Sequence, residues 1–139
     1  MSEKLKLKFA VYLVLCDGDD ILLSKRQNTG YMDGMYSLVA GHVEAGETVT
    51  QAMVREAKEE AGIDIEENDL DIMLTCHRVK QQYIDVYLAP MSYSGEITNL
   101  EPEKCAELKF FNEDNLPENM VPEVRSALKA IGKGKTYMS

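Results

Sequence analysis

The chain has 139 residues and is acidic, with 24 Asp and Glu side chains against 15 Lys and Arg side chains and a net charge of -9. Its length suits one domain, and 45% hydrophobic residues are enough for a sizeable core. The charge balance argues against binding to long nucleic acids or anionic membranes, because both depend on clustered Lys and Arg side chains. A small polyphosphate stays compatible with it when a divalent cation lies between ligand and protein.

The three cysteines are odd in number and widely spaced, at Cys16, Cys76 and Cys105. Neither a CxxC pair nor a disulfide framework follows from them, so the sequence predicts a reducing, cytoplasmic location. With only His42 and His77, a histidine-based metal centre is disfavoured. The N-terminal lysines and the apolar run after them resemble a signal peptide, but the run is short and an acidic turn follows it.

The first part of the chain alternates between strand and loop patterns. Residues 5–16 are rich in Val, Leu, Tyr and Phe and predict a strand, which we expect to form a hairpin with a second strand at residues 21–26. Glycines, Asn and Asp then predict a loop at residues 27–36. Residues 37–43 predict a short third strand that leads toward a helical region.

A helix is predicted at residues 48–61, with Thr48 as N-cap, Gln51 as its capping-box partner and Gly62 as the C-terminal cap. With the strands and the second helix that follow, this pattern predicts an α/β or α+β fold in a single domain, residues 1–139. The remaining predicted elements are strands at residues 70–79, 83–93 and 107–111, a helix at residues 121–131 and a frayed tail at residues 133–139.

Three glutamates of the predicted helix do not fit an ordinary amphipathic pattern. At about 100° per residue, Glu56 and Glu60 fall within the apolar stripe, and Glu59 lies beside it. Carboxylates crowded on an inward face repel one another, and an unpaired buried charge costs several kcal/mol. They also lie near the helix C-terminus, where the helix dipole disfavours anions. A solvated acidic face is the ordinary explanation of such a run, but the phase of the apolar residues favours a Mg²⁺ site.

Residues on either side of these glutamates complete a longer pattern. Gly41 and Gly46 border a loop ahead of the helix, and a glycine-containing loop lets backbone groups approach a ligand. Glu47 stands at the helix start, and Arg55 lies one turn before Glu59. The whole pattern resembles the signature of the Nudix hydrolases and reads Gly41-x5-Glu47-x7-Arg55-Glu56-Ala57-x-Glu59-Glu60-x-Gly62-Ile63.

The resemblance to the Nudix hydrolases implies both a fold and a reaction. The fold is the Nudix α/β/α sandwich, with a mixed β-sheet between helices. The reaction is the Mg²⁺-dependent hydrolysis of a nucleoside diphosphate linked to a further group, with Mn²⁺ as a substitute ion. The resemblance assigns metal binding to Glu56, Glu59, Glu60 and the main-chain carbonyl of Ala40, and the orientation of those glutamates to Glu47 and Arg55.

Outside this signature the resemblance is weaker, and it is to the MutT-like branch of the family. It implies one more catalytic or metal-binding glutamate from a later loop, for which we choose Glu103, with Glu101 as the alternative. A solvated loop acid is the ordinary explanation for either residue. The predicted substrate-binding residues are Arg26, Gly41, His42 and Asn119.

The MutT-like flanks favour a nucleoside triphosphate as substrate, including oxidised forms such as 8-oxo-dGTP, cleaved to a monophosphate and pyrophosphate. ADP-ribose, a nucleotide sugar or a prenyl diphosphate are the alternatives within the family. A catalytically silent nucleotide sensor and a plain acidic interaction module are alternatives of other classes, although the intact glutamates argue against both. The expected partner is a small nucleotide, and neither a long nucleic acid nor a membrane is expected. A homodimer is left open, although no residue in the sequence supports it.

Overall fold

The computed structural model describes residues 3–139, which form nine strands, two α-helices and one 3-10 helix. The strands are β1 (Lys8–Leu13), β2 (Cys16–Asp17), β3 (Asp20–Arg26), β4 (Tyr36–Ser37), β5 (Ala40–His42), β6 (Leu70–Arg78), β7 (Tyr83–Pro90), β8 (Cys105–Asn112) and β9 (Tyr137–Met138). The helices are α1 (Val49–Ala61), the 3-10 helix (Glu67–Asp69) and α2 (Pro122–Gly132).

A five-stranded mixed sheet lies at the centre of the fold, in the order β5-β1-β7-β6-β9. The middle pair, β1 and β7, is parallel, and the pairs β1–β5 and β6–β7 are antiparallel. Because side chains alternate along a strand, Val86 and Leu88 of β7 join the core under α1, whereas Tyr87 joins the core under α2. This arrangement confirms the predicted mixed sheet between helices.

A second sheet brings the middle and the end of the chain together. Strand β3 pairs with β2, with β4 and, along most of its length, with β8. Strand β8 begins directly after the loop that carries Glu101 and Glu103, so this pairing holds that loop beside the end of β3. At this end of β3, Arg26 lies opposite Cys105 of β8.

The ends of α1 are formed as the sequence predicts. Thr48 caps the helix: its hydroxyl accepts a hydrogen bond from the Gln51 N–H, and the Gln51 side chain bonds back to the Thr48 N–H. Gly62 ends the helix in the left-handed conformation, with φ of 72°. Neither α-helix in the described residues has the length and apolar character needed to cross a membrane.

Two predicted strands are each divided between the two sheets. The strand predicted at residues 5–16 forms β1 in the central sheet and β2 in the second one, so the predicted hairpin with β3 is limited to β2. The strand predicted at residues 37–43 is divided in the same way into β4 and β5. Both divisions fall at buried residues, such as Leu38 and Val39, that lie between the segment paired in one sheet and the segment paired in the other.

The C-terminal segment also differs from the prediction of a frayed tail at residues 133–139. Residues 137–138 form β9, which pairs in parallel with Thr75 and Cys76 of β6, and the Thr75 N–H donates to the carbonyl of Thr136 at 2.9 Å. Met138 packs against the core under α2. A segment of two residues is too short to be predicted as a strand from its sequence. The strand forms because β6 offers an edge that has no other partner at this position.

Candidate active site

The three glutamates of α1 lie where its inward face meets strand β5. Ala57 and Ala61 are fully buried against the sheet, and the helical period turns Glu56 and Glu60 toward the same side. The Glu56 side chain is only 14% exposed, whereas the Glu59 side chain is 55% exposed. The helix therefore presents two sheltered carboxylates and one exposed carboxylate to a single cleft of about 900 Å³.

Arg55 connects these glutamates to the loop before the helix. Its Nε and Nη2 atoms donate to the two carboxylate oxygens of Glu47, at 2.7 and 2.9 Å. Nη1 donates to Glu56 at 2.7 Å and reaches Glu59 at 3.4 Å, and Nη2 also donates to the His42 carbonyl at 3.0 Å. The bonds from Arg55 lower the pKa of Glu47 to about 2. This geometry suits the orienting role that the sequence predicts for Glu47 and Arg55.

Glu60 is the most deeply placed carboxylate of the cleft. Its Oε2 atom is buried and has no hydrogen-bond partner within the part of the chain that the structure describes. Burial, followed by the hydrogen bond and charge of Glu56, raises the pKa of Glu60 far above its usual value, while a main-chain hydrogen bond from Ala40 acts in the opposite direction. An orphaned buried acceptor is costly, so a cation that reached it would supply the missing interaction.

The oxygen donors of this cluster suit Mg²⁺, which prefers carboxylates, carbonyls and water. As they stand, residues 3–139 contain no group of three His, Cys, Asp or Glu side chains already gathered around one point. Mg²⁺ keeps several of its waters and needs few protein ligands, so a gathered cluster is not required. Mg²⁺ would be held by Glu56, Glu59, Glu60 and the Ala40 carbonyl. All four residues line the cleft.

The two candidate glutamates of the later loop are separated by the structure. Glu101 lines the cleft, and burial raises its pKa, with the nearby charges of Glu56 and Glu59 acting in the same direction. Glu103 is exposed and lies outside the residues that line the cleft, with its carbonyl accepting a hydrogen bond from Asn28 at 2.9 Å. The geometry therefore favours Glu101, our alternative from the sequence, over Glu103.

The predicted substrate-binding residues divide in a similar way. Arg26, Gly41 and His42 line the cleft. Asn119 does not, and its side chain donates to the carbonyl of Gly34 at 2.9 Å, which holds the loop after β3. The structure therefore brings three of the four residues together with the glutamates and gives Asn119 a contact within the protein.

Sequence reasoning did not single out four further residues that line the cleft, which are Tyr12, Arg78, Tyr83 and Lys104. Arg78 pairs with Asp85, which is 1% exposed. The only sequence signal was the presence of Asp85 within the apolar strand at residues 83–93. Without the register of the sheet, nothing in the sequence connected that aspartate to Arg78.

Comparison with known proteins agrees with this geometry. The model of the NUDIX domain family matches residues 6–131. The NAD-capped RNA hydrolases NudC of Stutzerimonas stutzeri and Shigella dysenteriae are 31% and 35% identical to the chain, over 81% and 75% of its length. The chain spans only 39% and 38% of the length of those two relatives.

Among solved structures, the MutT NUDIX hydrolase of Burkholderia pseudomallei superposes on this fold with a TM-score of 0.80. It is 25% identical to the chain, and the match covers 89% of this chain and 97% of that structure. The family model covers most of the chain and includes the loop, the glutamates and the arginine that meet at the cleft. The chain therefore belongs to the Nudix hydrolase family.

Proposed function

We propose that this protein hydrolyses the pyrophosphate linkage of a nucleotide, with Mg²⁺ as its cofactor and Mn²⁺ as a substitute. The observation that carries the proposal is the convergence of Glu56, Glu59, Glu60 and Glu101 on one cleft, with Arg55 fixing two of them. Like charges are gathered at this point at a cost in stability, which a cation bound there would offset.

The residues of the cleft support a direct attack of water on phosphorus. Glu101 is suited to accept the proton from that water, because it lines the cleft with the other glutamates and burial raises its pKa. Mg²⁺, when bound, neutralises phosphate charge and makes a bound water more acidic. Arg26 and Lys104 line the same cleft and form no salt bridge with any described residue. Arg26 donates to the Tyr31 carbonyl at 2.8 Å and to the Thr29 hydroxyl at 3.0 Å, so its remaining N–H groups and the Lys104 ammonium are the donors available to phosphate oxygens.

A nucleoside triphosphate, including 8-oxo-dGTP, is the first candidate substrate, with a monophosphate and pyrophosphate as products. Its support is the MutT-like sequence around the signature and the similarity to a MutT NUDIX hydrolase over nearly the whole of that chain. A dinucleotide of the NAD type is the second candidate, favoured by the two NudC relatives. Both contain a nucleoside diphosphate, so both present the same linkage to the glutamates.

The test is turnover of a panel of nucleotides with Mg²⁺: the dNTPs, the NTPs, 8-oxo-dGTP, NAD, NADH, ADP-ribose and nucleotide sugars. We expect at least one member to be cleaved, and Glu59→Gln to lower its turnover by at least about 10-fold. The matched control is Glu118→Gln, which changes an exposed glutamate outside the cleft.

The pattern of turnover distinguishes the candidates. Preferred cleavage of a triphosphate supports the first, and preferred cleavage of NAD or NADH supports the second. If Mg²⁺ binds but no member of the panel is cleaved, the proposed hydrolase activity is wrong.

A further inference from the structure

The wall of the cleft opposite the α1 glutamates is built from the central sheet and has no part in the hydrolysis described above. In the sheet register Tyr83 of β7 lies between Lys8 of β1 and Arg78 of β6, and Asp85 lies between Ala10 and Cys76. Two residues further along β7 the same face is covered by α2, where Tyr87 is buried. The uncovered end of this face, formed by Tyr12, Arg78, Tyr83 and Asp85, is the far wall.

Asp85 and Arg78 form an ion pair at the base of the far wall. Arg78 Nη2 donates to Asp85 Oδ1 at 2.9 Å, and Nε lies 2.6 Å from Oδ2 at an angle that does not form a hydrogen bond. The Asp85 side chain is 2% exposed and the Arg78 side chain 19% exposed. Two apolar residues would stabilise such a position about as well or better, so stability alone does not account for the pair.

Two tyrosine rings lie on the same face of the sheet as Arg78. Its guanidinium carbon lies 4.6 Å from the centre of the Tyr83 ring, within the range of a cation–π contact. Tyr12 stacks on Tyr87 beside it, with ring centres 4.6 Å apart and planes 11° apart. The Tyr83 hydroxyl lies 3.3 Å from the Nε2 atom of His42. The main-chain carbonyl of His42 accepts a hydrogen bond from Arg55. The far wall therefore connects to the residues that hold the glutamates.

The charge of this wall indicates which part of a nucleotide it suits. Asp85 neutralises Arg78, so the pair attracts a phosphate less than Arg26 or Lys104 does. A guanidinium nevertheless has five N–H groups, and Asp85 occupies only one side of it. Flat rings together with remaining N–H donors suit an uncharged planar group that carries hydrogen-bond acceptors, which describes a nucleobase.

We propose that the far wall is the nucleobase subsite of the cleft. Arg78 donates hydrogen bonds to acceptors on the base, Tyr12 and Tyr83 contact its face, and Asp85 is a positioning residue that holds the guanidinium. The inference rests on the proposed function, because it assigns the base of the nucleotide to this wall and leaves the phosphates to the glutamates, Arg26 and Lys104.

The test is equilibrium binding without divalent cations, so that it does not depend on turnover. AMP, GMP, CMP and UMP are titrated into the protein beside ribose 5-phosphate, which has the sugar and phosphate but no base, and binding is followed by NMR. We expect at least one nucleotide to bind at least about 10-fold more tightly than ribose 5-phosphate. The signals of Tyr83 and of Arg78 Nε–H should shift with the nucleotides only.

Variants then assign that preference to the pair. Arg78→Gln alone leaves Asp85 buried without its partner and can unfold the protein, so the double variant Arg78→Met/Asp85→Leu, which has no orphaned charge, is tested as well. The matched control is Lys80→Met, which removes an exposed positive charge outside the cleft. We expect the double variant to lose the 10-fold preference and to bind ribose 5-phosphate as the wild type does.

Three results would overturn the proposal: no nucleotide binds more tightly than ribose 5-phosphate, the double variant weakens both kinds of ligand equally, or the double variant folds and keeps the preference. Equal weakening would assign Arg78 to the phosphates. Base-dependent binding without cleavage of any nucleotide would keep the subsite and reject the hydrolase, so the two proposals fail separately.

Discussion

Gly41 is required because Glu56 occupies the space beside it. A Cβ atom at this position would lie 2.1 Å from Glu56 Cδ and 2.2 Å from its Oε1, well inside van der Waals contact. The backbone of Gly41 does not have a positive φ, so the requirement is for space and not for conformation. A carboxylate packed this closely against the backbone can be held by Arg55 in one position.

We therefore expect Gly41→Ala to displace Glu56 and to lower kcat/KM by at least about 100-fold, because a shift of about 1 Å at a reacting centre costs this much. Steady-state kinetics on the substrate found in the panel measures the loss, and thermal unfolding shows whether the fold is retained. Gly132→Ala is the matched control, since a Cβ there meets nothing within 4 Å. Equal activity in the two variants would show that the Glu56 position is not required.

The raised pKa of Glu60 predicts how stability depends on pH. Burial, with Glu56 beside it, keeps a proton on Glu60 in the folded protein well above the ordinary pKa of 4.5. Unfolding then releases that proton, so the contribution of Glu60 to stability is full below about pH 4.5 and is lost as the pH rises toward the folded pKa.

The Glu60→Gln variant has no such proton to release. In EDTA, we expect the wild-type Tm to fall more than the variant Tm between pH 5 and pH 9, with a difference of at least about 3 °C, or roughly 1 kcal/mol in a domain of this size. Thermal unfolding of both proteins at several pH values tests this. Parallel curves would show that Glu60 titrates normally.

For single residues, the sequence was informative where a residue did not fit the apolar pattern around it. Glutamates in an apolar helical stripe pointed to a cation site, and the structure places Glu56 and Glu60 in that sheltered position. The choice between Glu101 and Glu103 was beyond the sequence, because both lie in one acidic loop. Only the pairing of β8 with β3 turns the first of them into the cleft.

Helix α1 depends on its N-terminal cap more than on charge, because its first turn contains no acidic residue. Thr48 supplies the cap, and Glu67 of the 3-10 helix accepts a hydrogen bond from the neighbouring Thr50 hydroxyl at 2.6 Å. The cap fixes where the helix starts and thus where the turns that carry the glutamates lie.

Thr48→Ala should therefore lower the free energy of unfolding by about 1 kcal/mol, the usual contribution of an N-cap. Chemical denaturation measures this change. Thr98→Ala, at an exposed loop threonine whose hydroxyl bonds only locally, should change stability by less than about 0.5 kcal/mol. A similar loss in both variants would mean that the Thr48 cap does not stabilise α1.

Elements with a clear period were predictable, and elements that cross between sheets were not. The limits of α1 follow from a cap, an apolar stripe and a glycine, all of which are local. The divisions of the strands predicted at residues 5–16 and 37–43 follow from the different strands with which their two halves pair. Local patterns indicate strand character but not strand partners.

At the scale of the whole molecule, residues 137–138 cover one edge of the central sheet. Strand β9 covers the edge of β6, while β5 forms the opposite edge of the central sheet. Thr75 donates a backbone hydrogen bond to this segment, so its removal would expose that group. The same strand, β6, carries Arg78 at its far end.

Deletion of residues 136–139 should lower the free energy of unfolding by about 1–2 kcal/mol through lost hydrogen bonds and the lost Met138 packing. Hydrogen exchange should quicken at Thr75, while the amides shared by β1 and β7 stay protected. Deletion of Ser139 alone is the control. Unchanged exchange at Thr75 would show that β9 does not protect β6, and that residues 133–139 form the frayed tail predicted from the sequence.

The sequence by itself determined the family, the α/β class, the helix that carries the glutamates and the arginine that contacts them. These depend on local spacing and helical period, which are written in consecutive residues. The tertiary structure alone decided the pairing of the split strands, the inward position of Glu101, the docking of β9 and the far wall with its Arg78–Asp85 pair. Each of these depends on the register between strands distant in sequence, because side chains from separate segments meet only when the sheet has formed.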